Sequence, residues 1–281
     1  MEPLSLAILI PLAAAASAPA VVGRFPRQAG WILAVAPALI FAGTMRLLPL
    51  QPGQSHTLVW PWAAPYGLEL AFLLDGLSGT FVLMIAGIGA LVVIYAGGYL
   101  AGDQRLGRFY LILLTFMAAM LGLVLADNLI TLFVFWELTA LASVFLVWAR
   151  GGDAAYRAGM RYLIVQVGSG VLLMAGVIVH VAGGGSLAFE HIGLDAPGGL
   201  AIFLAFGIKA AFPLLHAWLV DAYPKATIAG TVWLSIFTTK LAVYALARGF
   251  AGTEILIWIG VAMAVFTVFY AIVENDLRKV L

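Results

Sequence analysis

Residues 132–148 read LFVFWELTALASVFLVW and decide the fold class. The stretch is apolar throughout except for the carboxylate of Glu137 and the hydroxyls of Thr139 and Ser143. An apolar run of this kind, continued on both sides, is typical of a helix that crosses a bilayer, which needs about 20 such residues. A charged side chain at the centre of a membrane helix costs about 2.5–3.5 kcal/mol on insertion scales, and such residues are by default functional. Glu137 is therefore the first candidate for a functional residue.

The composition of the whole chain supports the same fold class. Of 281 residues, 64% are hydrophobic and 10% are charged, and the mean hydropathy is +1.10. Soluble domains carry roughly 25% charged residues. We therefore predict an all-α polytopic membrane protein, with no polar segment long enough for a soluble domain.

The composition also excludes several function classes. The net charge of +1 gives no indication of nucleic-acid binding, and the chain contains no cysteine. Disulfides, cysteine-ligated zinc and iron–sulfur clusters are thereby excluded. The four histidines are scattered without ligand spacing, which disfavours a haem pair. We expect no cofactor and no metal.

The hydropathy pattern predicts about nine transmembrane helices. The two longest connections, 49–68 and 183–197, contain Gly, Pro and Ser and are predicted to be loops outside the hydrocarbon. The first apolar stretch follows Glu2 without any Lys or Arg, which is atypical of a signal peptide, so we expect it to be retained as a helix. The predicted spans are 4–23, 30–48, 75–99, 109–126, 128–149, 159–182, 198–220, 228–248 and 254–273.

The basic residues predict the orientation. With the N-terminus outside, ten Lys and Arg residues fall in inside connections, and only Arg46 and Arg248 lie at outside ends. Cytoplasmic loops carry such an excess of basic residues. We therefore predict a multi-pass protein of a prokaryotic cytoplasmic (inner) membrane with its N-terminus outside.

Two lysines join Glu137 inside apolar spans: Lys209 in the seventh and Lys240 in the eighth. A structural ion pair between helices and snorkelling of the lysines to the interface are the alternatives to a functional role. Snorkelling fits poorly because long apolar runs flank both lysines on each side. We therefore favour a functional role for all three ionisable residues.

The seventh span contains a proline four residues after Lys209. Pro213 cannot donate a hydrogen bond to the carbonyl of Lys209, and its ring crowds that carbonyl. The sequence thus predicts a helix that is broken or kinked between the two residues. At membrane depth, a broken helix is tolerated where it is buried in protein or lines a cavity, although simple proline kinks are also common.

The eighth span carries hydroxyl side chains before Lys240. Ser235, Thr238 and Thr239 lie at helical spacing on one face, where they would hold water beside the lysine or pack against a neighbouring helix. His216, near the inside end of the seventh span, is a weaker candidate for a proton carrier. Burial and mutual pairing act oppositely on the ionisation of Glu and Lys, so balanced groups exchange protons near neutral pH. The set therefore indicates a proton relay.

Two longer stretches carry a family resemblance. DNLITLFVFWELTALASVFLVWA (127–149) and GIKAAFPLLHAWLVDAYPKATIAGTVWLSIFTTKLAVYALAR (207–248) resemble the antiporter-like subunits of respiratory complex I, membrane-bound hydrogenases and Mrp-type multi-subunit cation/proton antiporters. FLLDGLSG (72–79) and the terminal ENDLRKVL are similar to the same family. The resemblance covers nearly the whole chain and leans toward the Mrp and hydrogenase branches.

The resemblance implies roles for the three ionisable residues. A glutamate of the fifth helix and a lysine of a broken seventh helix form a switchable pair in this family, and an eighth-helix residue passes protons onward. These positions correspond here to Glu137, Lys209 and Lys240, with Pro213, His216, Ser235, Thr238 and Thr239 as supporting residues. The chain departs from the family pattern at Val220, Lys225 and Leu234, where members often carry a proline, an acidic residue and a histidine.

The resemblance also implies a domain organisation. Family members usually contain about fourteen helices with two inverted repeats of five. Residues 1–108 would form a three-helix N-terminal segment, 109–250 a five-helix proton-translocating repeat, and 251–281 the first helix of an incomplete second repeat. Either a longer chain or another polypeptide would supply the remainder.

The leading hypothesis is a proton-translocating subunit whose partners are other membrane subunits, the lipid bilayer and protons, with sodium as the alternative ion. A structural or assembly subunit that does not conduct ions is the second hypothesis. It is disfavoured because replacing a buried ion pair by apolar residues is often neutral or stabilising. A quinone- or electron-handling anchor is the third. No self-contained catalytic site of an enzyme is evident.

Overall fold

The structure is a computed structural model that describes residues 3–48, 54–63, 65 and 68–280. The chain divides into two compact units, residues 1–146 and 147–281. The domain boundaries implied by the resemblance stay a prediction.

The first unit contains four helices and most of a fifth. In this unit α1 packs against α4, and α2 packs against α3. The approach of α1 to α4 is close because Gly107 has no side chain: a Cβ there would lie 3.0 Å from the Cα of Pro19. Helix α4 is buried along almost its whole length. The helices are α1 Pro3–Arg24, α2 Ala29–Leu47, α3 Gly76–Tyr99, α4 Leu106–Val124 and α5 Leu129–Trp148.

A β-hairpin corrects the predicted 49–68 loop. Strands β1 His56–Ala63 and β2 Leu68–Leu74 pair antiparallel, while residues 49–53, 64, 66 and 67 of that predicted loop lie outside the described residues. The other edge of β2 bonds to the α4–α5 turn: Leu73 N–H donates to the Leu125 carbonyl at 2.7 Å, and Asp127 N–H donates to the Ala71 carbonyl at 2.9 Å. This pairing stabilises a strand that the Pro- and Gly-containing sequence did not indicate.

The start of α3 is stabilised by a capping box. Asp75 accepts a hydrogen bond from the Ser78 backbone at 2.8 Å, and the Ser78 hydroxyl accepts one from the Asp75 backbone at 2.8 Å. Such reciprocal bonds satisfy donors that a helix start leaves unpaired. Asp75 is thus the N-cap residue of α3.

The second unit surrounds an interrupted helix. Long helices α6 and α9 both pack against α7, and short α8 packs against α6. A 3-10 turn, Tyr223–Lys225, leads from α8 to α9. The helices are α6 Asp153–Ala182, α7 Gly199–Ala210, α8 Ala217–Ala222, α9 Ile228–Gly249, α10 Glu254–Val273 and α11 Leu277–Val280.

The helices confirm the predicted fold class. Among the described residues, eight helices are long and apolar enough to cross a membrane, and α7 is a shorter apolar helix. Together they correspond one by one to the nine predicted spans, although α4 begins at Leu106 and α6 at Asp153, earlier than predicted. The 183–197 connection is irregular, as expected. The chain is therefore a multi-pass, predominantly α-helical membrane protein, and its described residues include one small hairpin.

Candidate functional site

Glu137 lies in the middle of α5 in the first unit. Its side chain is half-buried, and its Oε1 atom is shielded from solvent. The neighbouring hydroxyls bond within the same helix, because Thr139 donates to the Trp136 carbonyl at 2.7 Å and Ser143 donates to the Ala140 carbonyl at 3.0 Å. The carboxylate is therefore the one strongly polar group at this level of α5.

Lys209 lies in the last turn of α7 and is completely buried, with 0% of its surface exposed. A helix C-terminus carries a partial negative charge, which stabilises a cation in the last turn. Lys209 is thus a fully buried, ionisable side chain at the carboxyl end of an interrupted helix.

The helix break is a Schellman motif that begins before the proline. Ala211 adopts a left-handed conformation (φ 62°), its N–H donates to the Ile208 carbonyl at 3.2 Å, and the Phe212 N–H donates to the Gly207 carbonyl at 3.0 Å. This bond pattern defines the motif. The predicted break is confirmed, but α7 ends at Ala210, so Pro213 follows the end and does not itself cause it.

Two features explain why the chain turns here. A Cβ at Gly207 would lie 2.5 Å from the ring of Phe212, so the ring can fold back only over a glycine. Leu214 also has a positive φ, 72°. Left-handed conformations of non-glycine residues cost of order 1–3 kcal/mol each and persist only where the surroundings enforce them. The residues around the break in the second unit therefore enforce it.

Helix α8 is fastened beside the break by side chains of α6 and by its own tryptophan. Trp218 Nε1 donates to the Ile208 carbonyl at 3.0 Å, which satisfies a carbonyl at the end of α7. The Trp218 ring packs edge-on against Tyr162, with centroids 5.4 Å apart. Arg161 donates two hydrogen bonds, of 2.7 and 2.9 Å, to the carboxylate of Asp221. These contacts were not anticipated from the sequence.

Lys240 differs from Lys209 because it lies on an exposed face of α9. Its ammonium donates to the carbonyl of Ser235 at 2.7 Å, one turn earlier on the same helix. The Ser235 hydroxyl donates to the Val232 carbonyl at 3.2 Å. Thr238 is buried, with 1% of its surface exposed. Ser235 therefore contacts Lys240 through its backbone carbonyl, and a role of its hydroxyl beside the lysine stays a prediction.

A cavity of about 250 Å³ opens beside the break. Its lining includes Pro213, His216 and Thr239, together with Tyr270 and Lys279. The His216 ring packs against Phe266 at 5.1 Å, and among the described residues its buried Nδ1 has no hydrogen-bond partner. His216, Pro213 and Thr239 therefore come together around one space.

A second, more polar opening adjoins this cavity. It shares His216, Tyr270 and Lys279 with the first and adds the charged side chains of Asp221 and Lys225. The two spaces together run from a charged mouth to Thr239, the residue before Lys240. The first space is lined mostly by apolar side chains, and the charged groups are concentrated at the mouth.

The structure does not bring every predicted residue to one place. Pro213, His216 and Thr239 line the cavity, and Ser235 holds Lys240. Glu137 belongs to the first compact unit and Lys209 to the second, so their pairing stays a prediction. Sequence reasoning missed Gln166, whose single polar amide within an apolar stretch of α6 was the available signal.

Comparison with family models places the chain among known membrane subunits. The model described as "NADH:quinone oxidoreductase/Mrp antiporter, TM" matches residues 126–281. A second model, "NADH-Ubiquinone oxidoreductase (complex I), chain 5 N-terminus", matches residues 60–110. The two matches follow each other along the chain without overlap.

Curated relatives include the Na(+)/H(+) antiporter subunit A1 of Staphylococcus haemolyticus (strain JCSC1435), 33% identical over 302 residues. The subunit A1 of Staphylococcus aureus (strain MRSA252) is 33% identical over 303 residues. Both alignments cover 100% of this chain but 38% of the relative. The chain thus spans little more than a third of the length of these relatives.

Solved structures show the same fold. A chain of the Mrp complex from Dietzia sp. DQ12-45-1b superposes with a TM-score of 0.84 at 29% identity, covering 99% of this chain and 32% of that one. A chain of the membrane-bound sulfane sulfur reductase, an archaeal respiratory membrane complex, shares the fold with a TM-score of 0.79 at 20% identity, covering 99% and 61%. Because the first family model spans more than half of the sequence, this protein belongs to the NADH:quinone oxidoreductase/Mrp antiporter family of membrane subunits.

Proposed function

We propose that this chain translocates protons as an antiporter-like membrane subunit, through a relay formed by Glu137, Lys209 and Lys240. The observation that carries the proposal is the complete burial of Lys209 in the last turn of an interrupted membrane helix. Discontinuous helices of transporters place ion sites at such ends. The lysine is the proton-carrying group in this arrangement, and the helix end stabilises its charge.

The energetics of the break favour a functional over a structural role. A buried lysine and two left-handed residues, Ala211 and Leu214, each lower stability, yet all three occur within six residues of the second unit. A purely structural subunit would be as stable or more stable with apolar side chains and a regular helix. The backbone strain and the buried lysine thus occur together, as expected of a site that gains and loses a proton.

The cavity beside the break supplies the approach to Lys240. Its lining includes His216 and Thr239, and it adjoins the mouth that contains Asp221 and Lys225. We infer that protons pass along this lining toward Lys240, with Ser235, Thr238 and Thr239 offering hydroxyls on the way. Among the described residues, the buried Nδ1 atom of His216 has no hydrogen-bond partner. It can therefore bond to a water molecule or to a proton carrier.

The exposed position of Lys240 indicates a partner. A charged side chain in the middle of a membrane helix does not face lipid, because it must reach water or protein. Helix α10 has no buried residue at all among those described. We infer that further membrane helices, from a longer chain or from partner subunits of an Mrp- or complex I-like assembly, cover this face and continue the relay.

Protons are the proposed substrate because lysine binds protons and offers no oxygen ligand for a metal cation. Relatives named as Na(+)/H(+) antiporter subunits make sodium the natural counter-ion of the complete assembly. The proposed location is the cytoplasmic membrane of a prokaryote with the N-terminus outside, since ten basic residues then fall inside.

The test is the substitution Glu137→Gln in the assembled complex, measured as proton flux in inverted membrane vesicles with a pH-sensitive dye. Removing an essential ionisable group of a relay should lower flux by about tenfold or more. Glu69→Gln is the matched control, because Glu69 is exposed on β2 and the change is chemically identical.

Assembly must be measured in parallel, by the amount of complex recovered from the membrane. A well-assembled Glu137→Gln variant with normal flux would show that Glu137 is structural, and would favour the non-conducting assembly subunit instead.

A further inference from the structure

Gln166 is a buried polar side chain to which the proposed relay assigns no role. It lies midway along α6 with 0% of its surface exposed. Among the described residues, neither its amide oxygen nor its amide nitrogen has a hydrogen-bond partner. A glutamine amide offers two donors and an acceptor, and the large majority of buried side-chain polar atoms are bonded to protein or ordered water. The amide of Gln166 therefore offers its hydrogen-bonding groups to a small polar ligand.

The packing of α6 on α7 places Gln166 at the level of Lys209. Ser169 donates to the Ala205 carbonyl at 2.8 Å, and a Cβ at Gly176 would lie 2.7 Å from Ile202. Numbers rise along α6 as they fall along α7, so the helices are antiparallel. Gln166 precedes Ser169 by three residues, about 4.5 Å at the helical rise. The same step along α7 leads from Ala205 to the Ile208–Lys209 turn.

The facing sides of the two helices also agree. Gln166 and Ser169 are three residues apart and share one face of α6, while Ala205 and Lys209 are four apart and share one face of α7. Since the Ser169 hydroxyl bonds to the Ala205 carbonyl, these are the two faces that meet. Gln166 and Lys209 thus belong to adjoining turns of one helix interface.

The turn of α6 before Gln166 also contacts the end of α7. Tyr162, four residues earlier on the same face, packs against Trp218, and Trp218 donates to the Ile208 carbonyl. Gln166 is therefore held between two turns, Tyr162 and Ser169, that each contact the last turns of α7 directly or through Trp218. Gln166 thus lies beside the helix break, and its complete burial closes it to a large ligand.

We propose that Gln166 binds one or more water molecules at the level of Lys209 and thereby hydrates the interrupted end of α7. Water matches the amide because it is both donor and acceptor, and the full burial of the side chain excludes larger groups. Gln166 is then a positioning residue: it carries no proton and orients the water that exchanges protons with the lysine. This inference rests on the proposed relay function of Lys209.

The test uses Gln166→Met in the assembled complex, because methionine has nearly the same length and lacks the amide. Proton flux should fall by about tenfold, the usual effect of losing a group that orients a reactive site. The pH profile of the flux should also change, because the water that exchanges protons with the lysine is lost. The unfolding midpoint should fall, because a hydrated, satisfied amide is lost. Gln28→Met, at the exposed turn before α2, is the matched control.

Wild-type flux and pH profile in Gln166→Met, with an equal or higher unfolding midpoint, would overturn the inference, because an unsatisfied dry amide is better replaced by an apolar side chain. Where the methionine variant does not assemble, Gln166→Asn decides: it keeps an amide and leaves room for water. An assembled asparagine variant with wild-type pH profile supports the inference, and one with flux as low as Lys209→Met contradicts it.

Failure of the relay itself has a different signature. If Lys209→Met retains full flux, the proposed function fails whatever Gln166 does. If Lys209→Met abolishes flux while Gln166→Met leaves it unchanged, the relay stands and only the hydration role of Gln166 fails.

Discussion

Lys209 and Lys240 occupy opposite environments, although both lie in helices of the second unit, α7 and α9. Lys209 is fully buried at a helix end, whereas Lys240 lies on an exposed helix face and bonds to the carbonyl of Ser235. The first environment couples the charge to the helix dipole, and the second leaves it available to a neighbouring segment. Under the proposed function, Lys209 holds the proton and Lys240 passes it to the neighbouring segment.

Lys240→Met should therefore block proton flux, because no group at that position can accept a proton. Lys240→Arg should also fail, for a different reason: arginine stays charged and does not release the proton. Both are measured as dye-reported flux in vesicles that contain the assembled complex. Full flux in the arginine variant would show that Lys240 supplies only a fixed positive field.

Gly207 is the residue on which the break depends. Gly207→Ala should destabilise the protein by about 1–3 kcal/mol, the usual cost of overpacking, because the new methyl group would lie 2.5 Å from the Phe212 ring. Gly168→Ala is the matched control in α6: a Cβ there meets nothing within 4 Å, and the change should be neutral or stabilising by about 0.5–1 kcal/mol. Thermal unfolding of the purified protein measures both, and equal midpoints for the two variants would contradict the packing argument.

At the scale of elements, α8 is a six-residue helix that cannot be stable by itself. It is fastened on one side by Trp218, which bonds to the Ile208 carbonyl, and on the other by the ion pair of Arg161 with Asp221. The ion pair is partly exposed, so it adds little to the global stability of the protein. Its effect is local, because it limits how α8 moves beside the cavity.

Asp221→Asn should loosen α8 without unfolding the protein. Hydrogen exchange of the 217–222 amides should accelerate severalfold, because local opening no longer breaks a two-bond ion pair, while the global unfolding midpoint changes little. Asp195→Asn, at an exposed position of the 183–197 connection, is the control with the same charge change. Unchanged exchange in α8 would show that Trp218 alone holds the helix.

The hairpin illustrates how one element is stabilised by another. Strand β2 bonds to β1 on one edge and to the α4–α5 turn on the other. Ala71 N–H donates to the Thr131 hydroxyl at 2.9 Å, and the Asn128 amide donates to the Glu69 carbonyl at 3.0 Å. Isolated two-stranded hairpins are marginal in water. The turn after α4 therefore supplies the hydrogen-bond partners on the second edge of β2 that stabilise the hairpin.

At the scale of the whole molecule, the distribution of basic residues and the helix order together define a topology. The α3–α4 connection contains Arg105 and, just beyond it, Arg108, whereas the 183–197 connection contains no Lys or Arg. Basic residues are retained on the cytoplasmic side. The two connections are thus predicted to lie on opposite sides of the membrane.

The absence of cysteine from the sequence makes this topology directly measurable. Ser186→Cys and Gln104→Cys both fall at exposed positions of the two connections. A membrane-impermeant maleimide should label Ser186→Cys in intact cells and Gln104→Cys only in inverted vesicles. The reverse pattern would invert the orientation and place the N-terminus inside.

The sequence alone determined the membrane class and nearly every helix, because the bilayer imposes one rule along the chain. Each spanning segment must satisfy its own backbone hydrogen bonds and present apolar side chains, so length and hydropathy report the spans directly. The same rule exposed Glu137, Lys209 and Lys240 as exceptions. Pro213 indicated the interrupted helix for a related reason. Proline lacks the backbone N–H that a regular helix needs, and this property can be read directly from the sequence.

Only the tertiary structure decided where the helix stops, what fastens the break and which side chains lie near it. The end at Ala210 depends on the Phe212 ring folding over Gly207, which no periodicity encodes. The burial of Gln166 and the exposure of Lys240 depend equally on which helix faces which. A membrane helix is apolar on all sides, so its sequence does not distinguish the face toward protein from the face toward lipid. That distinction is made by packing, through close contacts between residues far apart in the chain.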